Sequence, residues 1–126
     1  MTTTKVLILI AIAATLSACG DFEWFPKVVD TTPPTVSAFI AGKPIFNNGT
    51  THVALPSSVT FTTTEPATIY YTTSGLEPTT ASASVVTTAN SAAGPSISVT
   101  DTILKFFGID SLSNASAIQT GRIKTL

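Results

Sequence analysis

Residues 59–80 read VTFTTTEPATIYYTTSGLEPTT, and this stretch decides the fold. In Val59-Thr60-Phe61-Thr62 an apolar side chain falls at every second position. Ile69-Tyr70-Tyr71-Thr72 repeats the pattern if Ile69 and Tyr71 face inward. A period of two puts one set of side chains in a core and the other toward solvent, which is the signature of a half-buried β-strand. Between them stands Glu65-Pro66. Pro66 has no N–H to give a ladder, so it turns the chain from one strand to the next. Ser74-Gly75 then opens a longer loop that contains Pro78.

The same pattern extends outward. Further strands are expected at Val36 to Ile40, Val53 to Leu55, Ser96 to Thr100, Ile103 to Asp110 and Ala117 to Leu126. Breakers separate them at Asn47-Asn48-Gly49, Gly94-Pro95 and Asp110 to Asn114. No helical period is present beyond Pro34. About seven short strands divided by turns predict an all-β, Ig-like antiparallel β-sandwich in which two sheets bury one face each. Ile118 and Ile123 have opposite parity, so a bulge near Gly121 is expected to return both to one face.

With the later segment ILKFFGIDSLSNASAIQT at 103–120, these residues resemble the chitobiase/β-hexosaminidase C-terminal domain, an Ig-like module of bacterial surface proteins. The shared pattern is a strand ending in Glu-Pro-Ala, then Ile-Tyr-Tyr-Thr-Thr, a glycine turn with Pro-Thr, and a late Leu-Lys-Phe-Phe strand followed by Asp and Asn. Ser74 stands where that family usually has Asp, and Ser113 where it usually has Gly. Both positions are in turns and touch loop shape rather than fold. The resemblance implies a module that is not the catalytic part of those glycosidases.

The beginning of the chain carries a different signal. Val6 to Leu16 is apolar apart from Thr15, follows Lys5, and falls well short of the ~20 residues that span a bilayer. Leu16-Ser17-Ala18-Cys19 comes next. It resembles the lipobox of bacterial lipoproteins, which implies cleavage between Ala18 and Cys19 and lipidation of Cys19. The organisation expected is a signal peptide helix at 1–18, a lipidated tether at 19–33 and the sandwich at 34–126. Cys19 is the single cysteine, so no internal disulfide can form. An acylated Cys19 makes the membrane a partner of the chain. Gly20 follows the cysteine. By resemblance to the sorting rule of enteric bacteria, where Asp at that place retains a lipoprotein in the inner membrane, the location expected is the cell envelope, at the outer membrane or cell surface.

Phe22, Trp24 and Phe25 occupy the tether. Two uses are open to them: a collar resting on lipid headgroups, or rings packed on the base of the domain. Asp30-Thr31-Thr32-Pro33-Pro34 stiffens the chain ahead of the first strand.

Composition narrows the function. Six basic and seven acidic residues give a net charge of −1, which becomes −2 once Lys5 leaves with the signal. Nucleic-acid binding needs a basic stripe, and none is present. His52 is the only histidine, and no third group is identifiable in the sequence to orient it as the base of a hydrolytic triad. Glu65 and Glu77 would have to converge to act as a glycosidase pair, but both lie in turns beside proline. Asp110 and Asn114 suit a tight turn and supply too few oxygens for calcium. No catalytic residue, metal site or cofactor is implied. Asn48-Gly49-Thr50 and Asn114-Ala115-Ser116 match a glycosylation pattern and read here as turns.

If Leu104 and Phe106 face the core, Phe107 and Ile109 face outward, beside Tyr70 of the neighbouring strand. Tyr70, Phe107 and Ile109 are then a candidate docking surface for a protein or a glycan. The function expected is a non-catalytic envelope lipoprotein that presents a binding or spacer module at a membrane. A carbohydrate-binding accessory module and a subunit of a larger envelope assembly are the alternatives.

Overall fold

The computed structural model describes residues 29–88 and 90–126. The expected signal segment, Ala18–Cys19 cleavage site, Cys19 lipidation site and aromatic tether residues lie outside those residues. The described chain contains β1 (Val36–Ile40), β2 (Lys43–Ile45), β3 (Gly49–Val53), β4 (Ser57–Thr63), β5 (Ala67–Thr72), β6 (Ala83–Thr87), β7 (Ser91–Ile97), β8 (Thr102–Asp110) and β9 (Gln119–Thr125). They form a four-stranded sheet in the order β2-β1-β4-β7 and a five-stranded sheet in the order β3-β9-β8-β5-β6. The result is an all-β sandwich of Ig-like type.

Alternation builds the core. Val36, Ala38 and Ile40 of β1 and Val59 and Phe61 of β4 point inward from one sheet. Ile69, Leu104, Phe106 and Ile123 meet them from the other, all fully buried. Phe61 and Phe106 touch across the gap with ring centroids 5.3 Å apart.

Four features differ from the sequence reading. Nine strands form rather than about seven, because β2 and β6 carry no clear alternation. The strand expected at Val53 to Leu55 lies earlier, at Gly49–Val53, where it pairs with β9 in parallel. The sandwich is therefore not wholly antiparallel. Gly94-Pro95 does not break the chain but lies within β7. Proline is tolerated there because β7 is a sheet edge, and the ladder to β4 shifts register beside it. Finally, β9 runs through Gly121 with unbroken pairing to β8, so there is no bulge at Gly121. The slip lies earlier. Gln119 pairs with Phe106, while the bonds of Ser116 go to Gly108 and Ala115 bridges Ile109. The extra residue thus falls at Ala117-Ile118, and Ile118 ends 38% exposed instead of in the core.

The strand ends define two poles. At one, β1 begins, Glu65-Pro66 joins β4 to β5, and β8 ends. The sheets are pinned there by a buried hydroxyl relay. The Thr87 hydroxyl donates to the Ala67 carbonyl at 3.1 Å and accepts the Ala67 N–H at 3.0 Å. Its one proton is then used, so Thr63 is the donor in the 2.9 Å Thr63–Thr87 bond. The preceding chain is fastened at this same pole. Pro34 is buried, the Thr35 N–H donates to Thr64 Oγ1, and Asn114 Nδ2 donates to the Asp30 carbonyl. The far pole carries the β1–β2 turn, the β5–β6 loop and the β7–β8 loop.

Gly121 belongs to the inward face of β9 and stands against Ile45 of the opposite sheet, so a Cβ there would collide with the Ile45 side chain. Gly121→Ala is expected to cost about 1–3 kcal/mol by overpacking. The added substitution Ile45→Ala should recover part of that loss in a double-mutant cycle read by thermal unfolding.

Candidate functional site

The outer face of the five-stranded sheet gathers the residues singled out from sequence. Tyr70 pairs with Phe107 across β5 and β8, and Thr68 pairs with Ile109. The Tyr70 and Phe107 rings stack with centroids 5.5 Å apart and planes 26° apart, an offset geometry that aromatic quadrupoles favour. The parity expected of Leu104 and Phe106 therefore holds, since both are core residues. Phe107 is nevertheless sunk to 9% exposure among its neighbours, while Tyr70 and Ile109 stay half-buried. Two further apolar residues are exposed nearby. Val86, beside Thr68 on β6, is 62% exposed. Ile118 lies just past the Phe106–Gln119 pair on the β9 side. Neither is legible from sequence, because β6 carries no clear alternation and the slip falls at Ala117-Ile118 rather than at Gly121.

Toward the far pole the same face turns polar. Lys105 pairs with Glu77 at 3.0 Å, and Asp101 accepts Arg122 at 3.2 Å with Lys124 at 3.8 Å. These pairs are partly exposed and contribute little to stability. A cleft of about 420 Å³ opens beyond them, edged by hydroxyls of Ser74, Ser96, Ser98 and Thr100.

The near pole is acidic. Carboxylate oxygens of Asp30, Glu65 and Asp110 lie within 4.8 Å of one another. The Asp110 carboxylate is engaged by its own turn. It accepts the Leu112 N–H at 2.8 Å, the Asn114 N–H at 2.9 Å and Asn114 Nδ2 at 2.8 Å. Those donors, the Asn114 side chain first, hold its pKa below the ordinary carboxylate value. Asp110 and Asn114 thus cap a turn, as the residue types suggested. Glu65 is displaced upward, chiefly by desolvation and then by the charges of Asp30 and Asp110.

The hydrolytic candidates do not assemble. His52 is exposed on β3, and its carbonyl accepts Lys43 Nζ at 2.9 Å. Glu65 and Glu77 flank opposite ends of β5.

A family model described as the chitobiase/beta-hexosaminidase C-terminal domain matches residues 46–120. Neither the curated proteins nor the solved structures include a match to this chain. The matched span starts in the loop before β3 and ends within β9.

The two shifted carboxyls make opposite contributions to stability. The folded pKa of Glu65 is raised, so its charge is a penalty above its ordinary 4.5 and disappears at lower pH. Glu65→Gln should therefore raise the unfolding temperature at neutral pH, with the gain vanishing below pH 4.5. The folded pKa of Asp110 is depressed, so its stabilisation is present above its ordinary 3.8 and is lost as pH falls through the lower folded value. Asn114→Ala should lower the unfolding temperature at neutral pH and have less effect at acid pH.

Proposed function

Because the chain belongs to the chitobiase/β-hexosaminidase C-terminal domain family, we propose that it is a non-catalytic binding or spacer module held at a membrane surface of the cell envelope. That family is an accessory, non-catalytic Ig-like domain. The proposed anchor is the lipid on Cys19 after cleavage behind Ala18. Gly20 favours the outer membrane or cell surface as its location.

One observation carries this reading beyond the family. The chain that leads in from Cys19 is fastened at a single pole, by Asn114 to the Asp30 carbonyl and by burial of Pro34. A pull on the lipid is thereby delivered to one end of a rigid sandwich. The loops and the hydroxyl-edged cleft stand at the other end, free of the attachment.

The Tyr70–Phe107 pair favours a second reading, that of a carbohydrate-binding accessory module. Its half-buried Tyr70 ring is flanked by Thr68, Thr72 and Ser84, hydroxyl residues next to an apolar platform.

Cell fractionation with mass spectrometry of the first mature peptide tests the anchor. An acyl-modified Cys19 and a membrane-bound chain are expected, and Cys19→Ala should leave the chain uncleaved and unacylated. An unmodified Cys19 in a mature chain would overturn the anchor. Retention on chitin or peptidoglycan that Tyr70→Ala abolishes would support the second reading, and a native chain that passes through both matrices would remove it.

A further inference from the structure

The outer edges of the two sheets are not equally protected. An unpaired strand edge offers free N–H and C=O groups to any extended chain, and folded proteins blunt such edges with brevity, proline, bulges or lysine. Three edges here carry one of those devices. β2 is three residues long with Pro44 at its centre. β7 contains Gly94-Pro95, and its ladder to β4 slips beside them, so it presents an irregular edge and a residue without an N–H. β3 is closed by a lysine. The Val53 carbonyl accepts the Leu126 N–H on the β9 side, so the preceding carbonyl, that of His52, points to the open side. Lys43 Nζ donates to it there at 2.9 Å.

β6 carries none of them. Ala83-Ser84-Val85-Val86-Thr87 has no proline and no charge, and its pairing with β5 runs without a slip. The nearest charged residues in sequence are Glu77 and Asp101. Among the described residues β5 is its only ladder partner. We propose that β6 is an association edge whose occupant is β6 of a second copy of this chain, added antiparallel across a two-fold axis at Val85, so that the two five-stranded sheets become one. The strand is complementary to itself, as a two-fold contact requires. In that register Ala83 meets Thr87 of the second copy, Ser84 meets Val86, and Val85 meets its own counterpart. Small side chains are set against β-branched ones, which a pleated ladder accommodates well, and no like charges are brought together. Val86, 62% exposed in a single copy, gains a cross-strand neighbour. Ser84 lies beside Tyr70 on β5, so the pairing also carries the Tyr70 surfaces of both copies on one sheet.

This inference goes beyond the binding or spacer reading and holds whether or not Cys19 is acylated, since it needs β6 alone. Sedimentation of the full chain in density-matched detergent tests it. The native protein is expected at about twice the mass of one chain. The variant S84K/V86K changes two exposed positions and sets lysine against lysine across the axis, so it should sediment as a single copy. S84E/V86E should do the same. Mixed in equal amounts, the two variants should recover the paired mass, because each lysine then faces a glutamate, and that recovery also shows that both are folded. A native chain that stays a single copy would overturn the proposal. So would a paired S84K/V86K, the result that association through a lipid or through another surface would give, and so would a mixture of the two variants that stays unpaired. The mass of the first mature peptide reports the anchor separately, so failure of the anchor and failure of the pairing are distinguishable.

Discussion

The sandwich depends on Phe61. Its ring is fully buried between the sheets, 5.3 Å from Phe106 and 5.8 Å from Tyr71. Burying a phenyl side chain of this kind contributes about 1.5–3 kcal/mol. Much else is arranged to make room for it. Gly94 on β7 has no Cβ, and one there would stand 2.6 Å from the ring. The proline that follows it is tolerated only because β7 is an edge. With no disulfide in the sandwich, the sheets are joined by this aromatic seam and the rest of the core, by the Thr63–Thr87 relay at the near pole, and by cross-sheet bonds such as that from Gln119 Nε2 to the Val36 carbonyl.

Strands with sharp polar and apolar contrast were legible in the sequence. β1 lies at Val36–Ile40 as read, and β4, β5 and β8 surround their expected centres. What escaped was structure whose cause is non-local. β3 begins at Gly49, inside a run that looks like a breaker, because a parallel partner seventy residues away supplies its ladder. β2 is three residues long with a proline in its middle. β6 lies in a run of Ala, Ser, Thr and Val without a charge, so nothing marks its inner face. The candidate surface followed the same rule. Tyr70, Phe107 and Ile109 could be placed by counting parity along two strands. Val86 could not, because its strand was unseen. The meeting of Asp30, Glu65 and Asp110 could not either, because it brings together the lead-in to β1, the β4–β5 connection and the end of β8.

The proposed function rests on placement more than on reactive groups. Several carboxylates are occupied: Asp110 by its own turn, Glu77 by Lys105, and Asp101 by Arg122 and Lys124. What varies across the molecule is surface character. An apolar sheet face borders the pole that receives the preceding chain, and ion pairs with a hydroxyl-edged cleft border the other. A module that binds or spaces rather than reacts is consistent with that distribution.

The position of β9 has a consequence for how the molecule is made. β9 is the last strand of the sandwich in chain order, yet it sits in the interior of its sheet, between β3 and β8. Until it arrives, β3 has no ladder partner and Leu104 of β8 lacks Ile123 beside it. A nascent chain therefore cannot zip up the larger sheet from its beginning. Closure waits for the final residues and then proceeds through long-range contacts, which makes folding slow relative to a hairpin-built sheet of the same size.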